Sequence, residues 1–128
     1  MNEKVTYWTE LSDYDIETAK AMLKTKRFLY VGFMCHQAIE KILKAYWCKI
    51  STETPPYTHN LTRLSEKTGL FLMMDESQLN LIDSLEPLNI EARYPSYKER
   101  LLKSLNQERS EELITQTQNL QQWIKQKL

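Results

Sequence analysis

Apolar residues recur at steps of three to four along most of the chain, the spacing that places them on one face of an α-helix. The pattern predicts a first helix over Tyr7–Lys26, with Thr9 or Ser12 as its N-cap. A second helix is predicted over Arg27–Lys49 and is apolar on nearly all sides. Such a helix needs neighbours around it, so we expect it at the centre of the fold.

Turn-forming residues follow this apolar helix. The pair Pro55–Pro56 must break the helical pattern, because proline lacks the backbone N–H that a helix interior uses. Thr58 or Asn60 is then expected to begin a short helix that Gly69 ends as a C-terminal cap. The apolar residues that follow Gly69 are expected to form a link.

A further helix is predicted to begin at Asp75 and to stop before Pro87. The residue before a proline disfavours the helical conformation, which makes this position a natural end. The stretch Leu88–Ser96 shows no regular spacing and is expected to be irregular.

Helical spacing resumes at Tyr97 and continues to the end of the chain, with Ser110 marking a restart after Asn106. Only 2 glycines and 4 prolines occur among 128 residues, which favours long helices with few connections. We therefore predict an all-α fold, an up-and-down bundle of four to five helices, in a single domain spanning residues 1–128.

The charge balance limits the classes of partner. Lys and Arg together number 17, as do Asp and Glu, so no overall field attracts nucleic acid or a membrane surface. Any nucleic-acid contact would have to be local, at a cleft, and we expect no DNA partner. The 3 Trp and 7 Tyr exceed what one small core holds, and exposed aromatic residues are frequent at interfaces, so a homodimer is expected.

The two cysteines, Cys35 and Cys48, lie on the predicted central helix about 20 Å apart, at ~1.5 Å rise per residue. This separation is too large for a disulfide, so they are expected to be buried thiols of a reduced protein. The sequence shows neither a leader pattern nor an apolar run long enough for a membrane span. We expect a cytoplasmic location and no membrane partner.

Three segments, in this order and spacing, carry a resemblance to a known family. They are Phe33–Ala45 (FMCHQAIEKILKA), Thr58–Leu64 (THNLTRL) and Ala92–Pro95 (ARYP). Together they resemble the HEPN domain of prokaryotic nucleotide-binding and toxin–antitoxin systems. The resemblance implies a helical bundle, usually homodimeric, often encoded beside a minimal nucleotidyltransferase that it binds. It also implies that many members are metal-independent ribonucleases that use an Arg-x(4–6)-His pair.

That pair is missing from this sequence. Metal-free RNA cleavage needs a base for the ribose 2′-hydroxyl and a cation for the developing phosphate charge. Counting forward from Arg93, the histidine would fall at positions 98 to 100, which hold Lys, Glu and Arg. The two histidines of the chain, His36 and His59, do not complete the pattern with any arginine. No catalytic residue is therefore assigned, and no metal-ligand spacing or glycine-rich phosphate loop occurs.

Several residues remain candidates for binding a nucleotide or a partner. Gln37, Lys41 and Lys44 share one face of the central helix and could hold a phosphate or an acidic edge, or form a solvated stripe. Arg93 could hold a phosphate while Tyr94 stacks a base, or brace its loop. The candidate set is Gln37, Lys41, Lys44, His59, Arg93, Tyr94, Tyr97 and Lys98.

The sequence thus favours a non-catalytic HEPN protein that binds a nucleotide, a minimal nucleotidyltransferase, or both. No cofactor is expected apart from a bound nucleotide. Two alternatives stay open: a metal-independent ribonuclease toxin with a degenerate motif, and a plain helical interaction domain. Capping and packing explain His59 as well as ligand binding does, and His36 is explained as a packed histidine.

Overall fold

A computed structural model describes residues 2–90, 99–100 and 103–128 of the chain. Within these ranges all the regular secondary structure is helical, with no strand. The helices are α1 (Glu3–Lys24), α2 (Phe28–Ile50), α3 (Leu61–Thr68), a 3₁₀ helix (Leu70–Met73), α4 (Glu76–Ile90) and α5 (Gln107–Lys125). The all-α bundle predicted from the sequence is confirmed.

Helix α2 is the central element of the bundle, as its all-round apolar pattern predicted. It packs against α1, α3, α4 and α5. Its core side chains are almost completely removed from solvent: Val31, Cys35, Ala38, Ile39, Ile42, Leu43 and Ala45. Both cysteines are free and buried, as expected. Among the described residues, no helix is both long and apolar enough to cross a membrane.

The predicted start of α1 was wrong. The helix begins at Glu3, and its cap is Asn2, whose side chain accepts a hydrogen bond of 2.8 Å from the Val5 backbone N–H. Val5 is buried, so packing holds this extra turn in the helix. Ser12 lies inside the helix instead of capping it, and its hydroxyl donates to the Ala38 carbonyl at 2.7 Å.

The predicted stop before Pro87 was also wrong, because α4 continues through that proline to Ile90. A proline inside a helix costs about 3 kcal/mol, and tertiary contacts of the last turn offset that cost. Leu88 and Asn89 are both buried. Asn89 Oδ1 accepts a hydrogen bond of 2.9 Å from Gln37 Nε2, and Leu88 packs on Gly32 of α2. Residues 88–90 are therefore helical rather than irregular.

The other helix ends agree more closely with the sequence. Asn60 caps α3 by accepting from the Arg63 N–H, and Gly69 ends that helix in the left-handed region at φ 83°. The last helical pattern does restart after Asn106, but Asn106 itself is the cap of α5, accepting from the Arg109 N–H at 2.8 Å. Ser110, the cap suggested by the sequence, is buried one turn inside the helix.

Candidate functional site

A buried carboxylate, Glu40, lies at the centre of the polar face of α2. Its exposed fraction is 3%. Its Oε2 accepts a hydrogen bond of 3.0 Å from Lys44 Nζ, one helical turn along. Its Oε1 lies 2.9 Å from Nδ1 of His59 and 3.9 Å from Nδ1 of His36. Three basic side chains therefore converge on one carboxylate, and His59 attaches the segment before α3 to α2.

A second ion pair joins α2 to α1. Lys41 Nζ lies 2.5 Å from Oδ2 of Asp15, a carboxylate that is only 4% exposed. Burial raises the pKa of Asp15 above its usual value, although the Lys41 ammonium opposes the rise. Lys44 Nζ also lies 5.4 Å from the centre of the Trp8 ring of α1, within reach of a cation–π interaction. Both lysines of the predicted stripe are thus held by groups of the same chain.

Gln37 completes the polar face at its α4 side. Its amide nitrogen donates to Asn89 Oδ1 across the α2–α4 contact. The partly buried amide pair fixes the last turn of α4 on α2, since the buried Asn89 amide would be costly without a partner. We refer to Gln37, Glu40, Lys41, Lys44 and His59 as the α2 polar face.

His36 lies beneath this face and is completely buried. Burial lowers the pKa of His36 to about 4, even though the Glu40 carboxylate beside it acts in the opposite direction. The ring is therefore neutral near pH 7. Its Nε2 has no hydrogen-bond partner among the residues that the structure describes. The histidine is packed, as the sequence allowed, and it is closed to any ligand that does not rearrange the bundle.

The structure brings together four of the eight candidate residues, namely Gln37, Lys41, Lys44 and His59. Arg93, Tyr94, Tyr97 and Lys98 lie outside the described residues. Asn89, which precedes this segment, is hydrogen-bonded to Gln37 of α2. Leu105, which follows it, lies close to Gly32 of α2, with a side-chain carbon 3.5 Å from the position that a Cβ on that glycine would occupy.

A second basic site, which the sequence analysis missed, lies at the other end of the α1–α2 hairpin. An open cleft of about 730 Å³ is lined by Lys20, Leu23, Lys24, Lys26, Phe28 and Gln107. We call it the lysine cleft. A sequence signal existed, because no Asp or Glu occurs between Glu17 and Glu40, whereas four basic residues do. That local imbalance is hidden by the neutral total charge.

Nothing in the described ranges suggests a metal centre, since no group of three or more His, Cys, Asp or Glu side chains there could hold an ion. The thiols are equally unsuited to act as nucleophiles. Burial raises the pKa of Cys35 to about 12, so that thiol is protonated and weakly nucleophilic at neutral pH.

The fold and the α2 polar face define a class: a small helical bundle whose central helix carries buried, paired charges. A family model for the HEPN domain matches residues 5–127, nearly the whole chain. The protein belongs to the HEPN family. The Phe33–Ala45 segment that carried the resemblance holds most of the α2 polar face.

A solved structure supports the same fold. The crystal structure of TT1696 from Thermus thermophilus superposes with a TM-score of 0.83 at 17% sequence identity. The match covers 99% of this chain and 100% of that one. At this identity the similarity shows the fold alone. A search of curated proteins finds no match to the sequence.

Proposed function

We propose that the protein is a non-catalytic HEPN protein that binds a minimal nucleotidyltransferase, a nucleotide, or both, within a toxin–antitoxin-like or nucleotide-handling system. The observation that carries the non-catalytic part is the fate of the two histidines. Neither follows an arginine at the spacing of the ribonuclease pair. His36 is buried and neutral, so it cannot reach an RNA phosphate.

Exposed aromatic residues support the partner-binding part of the proposal. Tyr7, Tyr14 and Tyr30 are each more than half exposed, at 57%, 71% and 58%. Tyr7 and Tyr14 are seven residues apart and so project from the same face of α1. Tyrosine is enriched in protein interfaces because it offers a large, amphipathic contact area. This face suits contact with a nucleotidyltransferase or with a second copy of the chain as a homodimer.

The proposal is tested by recovering the tagged protein from its own host, identifying what co-purifies and measuring the mass of the complex. We expect a dimer that retains a nucleotidyltransferase, a bound nucleotide, or both. A Tyr7→Lys/Tyr14→Lys variant should lose the nucleotidyltransferase or the dimer, whereas Tyr57→Lys, at a fully exposed loop position, should not. Recovery of a monomer with neither ligand would count against the proposal.

One observation favours a second candidate function, the ribonuclease with an altered motif. The ring of His59 is 67% exposed, and its Nδ1 is held by Glu40. A carboxylate on one ring nitrogen orients the other as a proton acceptor, the arrangement that general bases use. This function predicts RNA cleavage in the presence of a chelator and growth arrest on expression, both lost in His59→Ala and in Arg93→Ala. Intact RNA with the wild-type protein would exclude it.

A further inference from the structure

The lysine cleft differs from the α2 polar face in having no buried carboxylate paired with its lysines among the described residues. Lys24 and Lys26 form no ion pair with any of residues 2–90, 99–100 and 103–128. Lys20 pairs with Glu17 at 3.3 Å, but both side chains are exposed, and such pairs are weak and readily exchanged. Three ammonium groups at one cleft repel one another unless an anion joins them.

The start of α2 supplies no acidic counter-charge either. Its first turn has no acidic residue, and its N-cap, Arg27, makes no capping hydrogen bond through its side chain. The first N–H groups of a helix carry partial positive charge. Arg27 itself is exposed and adds a fourth cation beside the cleft.

The backbone at Lys26, beside the cleft, is strained. Lys26 has φ 60°, and among the described residues it is the only non-glycine residue with a positive φ. The Arg27 N–H donates to the Met22 carbonyl at 2.7 Å and the Lys26 N–H to the Leu23 carbonyl at 3.0 Å, which is the Schellman arrangement at the end of α1. Glycine is the usual residue in this place, because a side chain there is strained. Here the strained position holds a lysine that lines the cleft.

We propose that the lysine cleft binds the phosphates of a free nucleoside polyphosphate, with the base against Leu23 and Phe28. Lysine binds phosphate as a point charge, and the half-buried Phe28 ring and Leu23 supply an apolar surface for a base. A volume of about 730 Å³ lies within the range of small-molecule sites. The balanced total charge disfavours a long RNA, which needs an extended basic track.

The inference deepens the nucleotide part of the proposed function, and on that part it rests. It places the nucleotide away from the α2 polar face. Lys24 and Trp8, which flanks the α2 polar face, are 16 residues apart on α1, about 24 Å at ~1.5 Å per residue. The two sites can therefore be altered separately.

The test is a calorimetric titration of the purified full-length protein with ATP, inorganic triphosphate and adenosine. We expect ATP to bind most tightly, triphosphate more weakly and adenosine not measurably. Lys24→Gln/Lys26→Gln should weaken ATP binding about a hundredfold, since each charged contact is worth about a factor of ten. The matched control is Arg63→Gln/Lys67→Gln, which removes the same charge from an exposed face of α3 and should change ATP affinity less than twofold.

Three results would overturn the inference. In the first, both double variants weaken ATP binding equally. In the second, adenosine binds as tightly as ATP. In the third, the wild-type protein binds a 12-nucleotide RNA but not ATP. The co-purification experiment distinguishes this inference from the proposed partner binding. Lys24→Gln/Lys26→Gln should still capture the nucleotidyltransferase, and a wild-type protein that captures it without binding ATP would sink this inference alone.

Discussion

The α1–α2 hairpin carries two groups of lysines that differ in one respect, the presence of a buried carboxylate. Lys41 and Lys44 lie against Asp15 and Glu40, each of which is at most 4% exposed. Lys24 and Lys26 have no carboxylate partner in the described ranges. The same residue type in the same hairpin is therefore committed to internal pairing at one end and available to a ligand at the other.

The difference follows from where the acidic residues stand in the sequence. Glu40 is four residues before Lys44, a spacing that brings the two side chains together on a helix. Asp15 is brought to Lys41 only by packing of α1 on α2. Breaking a buried ion pair by removing one partner is costly because the other charge stays buried, whereas exposed charges contribute little to stability. The comparison thus predicts large stability effects at one end of the hairpin and binding effects at the other.

The largest effect is expected from Glu40→Gln. The substitution keeps the shape of the side chain but leaves Lys44, which is 9% exposed, without its counter-charge. We expect the free energy of unfolding to fall by about 3–5 kcal/mol, measured by urea denaturation at pH 7. Lys24→Gln should change it by less than about 0.5 kcal/mol.

A double variant sharpens the interpretation. Glu40→Gln/Lys44→Met removes both charges of the pair and should recover much of the loss, because no unpaired cation remains in the interior. If Glu40→Gln alone proves as stable as the wild type, the α2 polar face is not a structural network, and its lysines return as candidates for ligand binding.

The sequence predicted the fold better than the site, and the reason is physical. Helical spacing is a local property, so α2 and the Gly69 cap were recognised directly. Continuation through Pro87 depends on a hydrogen bond from Gln37, which is 52 residues away from Asn89. Spacing along one helix placed Gln37, Lys41 and Lys44 on a common face, and the structure puts them on the α2 polar face.

What spacing could not show is the partner of each side chain. The ion pair between Lys41 and Asp15 joins positions 26 residues apart and depends on how α1 packs against α2. The lysine cleft likewise includes Gln107 from the start of α5, far from Lys26 in sequence. The uninterrupted basic stretch between Glu17 and Glu40 was visible, but only packing shows that part of it lines a cleft.

The second-largest effect is the loss of stability at low pH that the buried His36 causes. The pKa of His36 is lowered to about 4 in the fold, against about 6.5 in an unfolded chain. Between these values the unfolded chain binds more protons, so stability present at pH 7 is lost as the pH falls towards 4. We expect this histidine to account for about 3 kcal/mol over that interval.

Urea denaturation at pH 7, 6, 5 and 4 measures this loss, with His36→Gln as the comparison. The raised pKa of Asp15 acts in the opposite direction, but it is common to both proteins and cancels in the difference. The variant should be less stable at pH 7 and show a shallower dependence on pH. Parallel curves for the two proteins would mean that His36 titrates in the fold as it does in the unfolded chain.

The smallest effect is expected from backbone strain at the lysine cleft, which can be tested without disturbing a buried charge. Lys26 and Gly69 both adopt left-handed conformations, at φ 60° and φ 83°. Lys26→Gly relieves strain and should raise the free energy of unfolding by about 0.5 kcal/mol, after the entropy cost of a new glycine. Gly69→Ala should lower it by about 1 kcal/mol, since a Cβ there meets no atom within 4 Å and only the backbone is strained.

Urea denaturation of both variants, followed by ATP titration of Lys26→Gly, completes this comparison. A glycine at position 26 that stabilises the fold yet weakens ATP binding would show that the lysine is held in its strained conformation for the ligand and not for the bundle. A Lys26→Gly variant that is less stable than the wild type would instead mean that the lysine side chain packs usefully against α1. The lysine cleft would then be an ordinary helix end, and the contrast with the α2 polar face would lose its functional meaning.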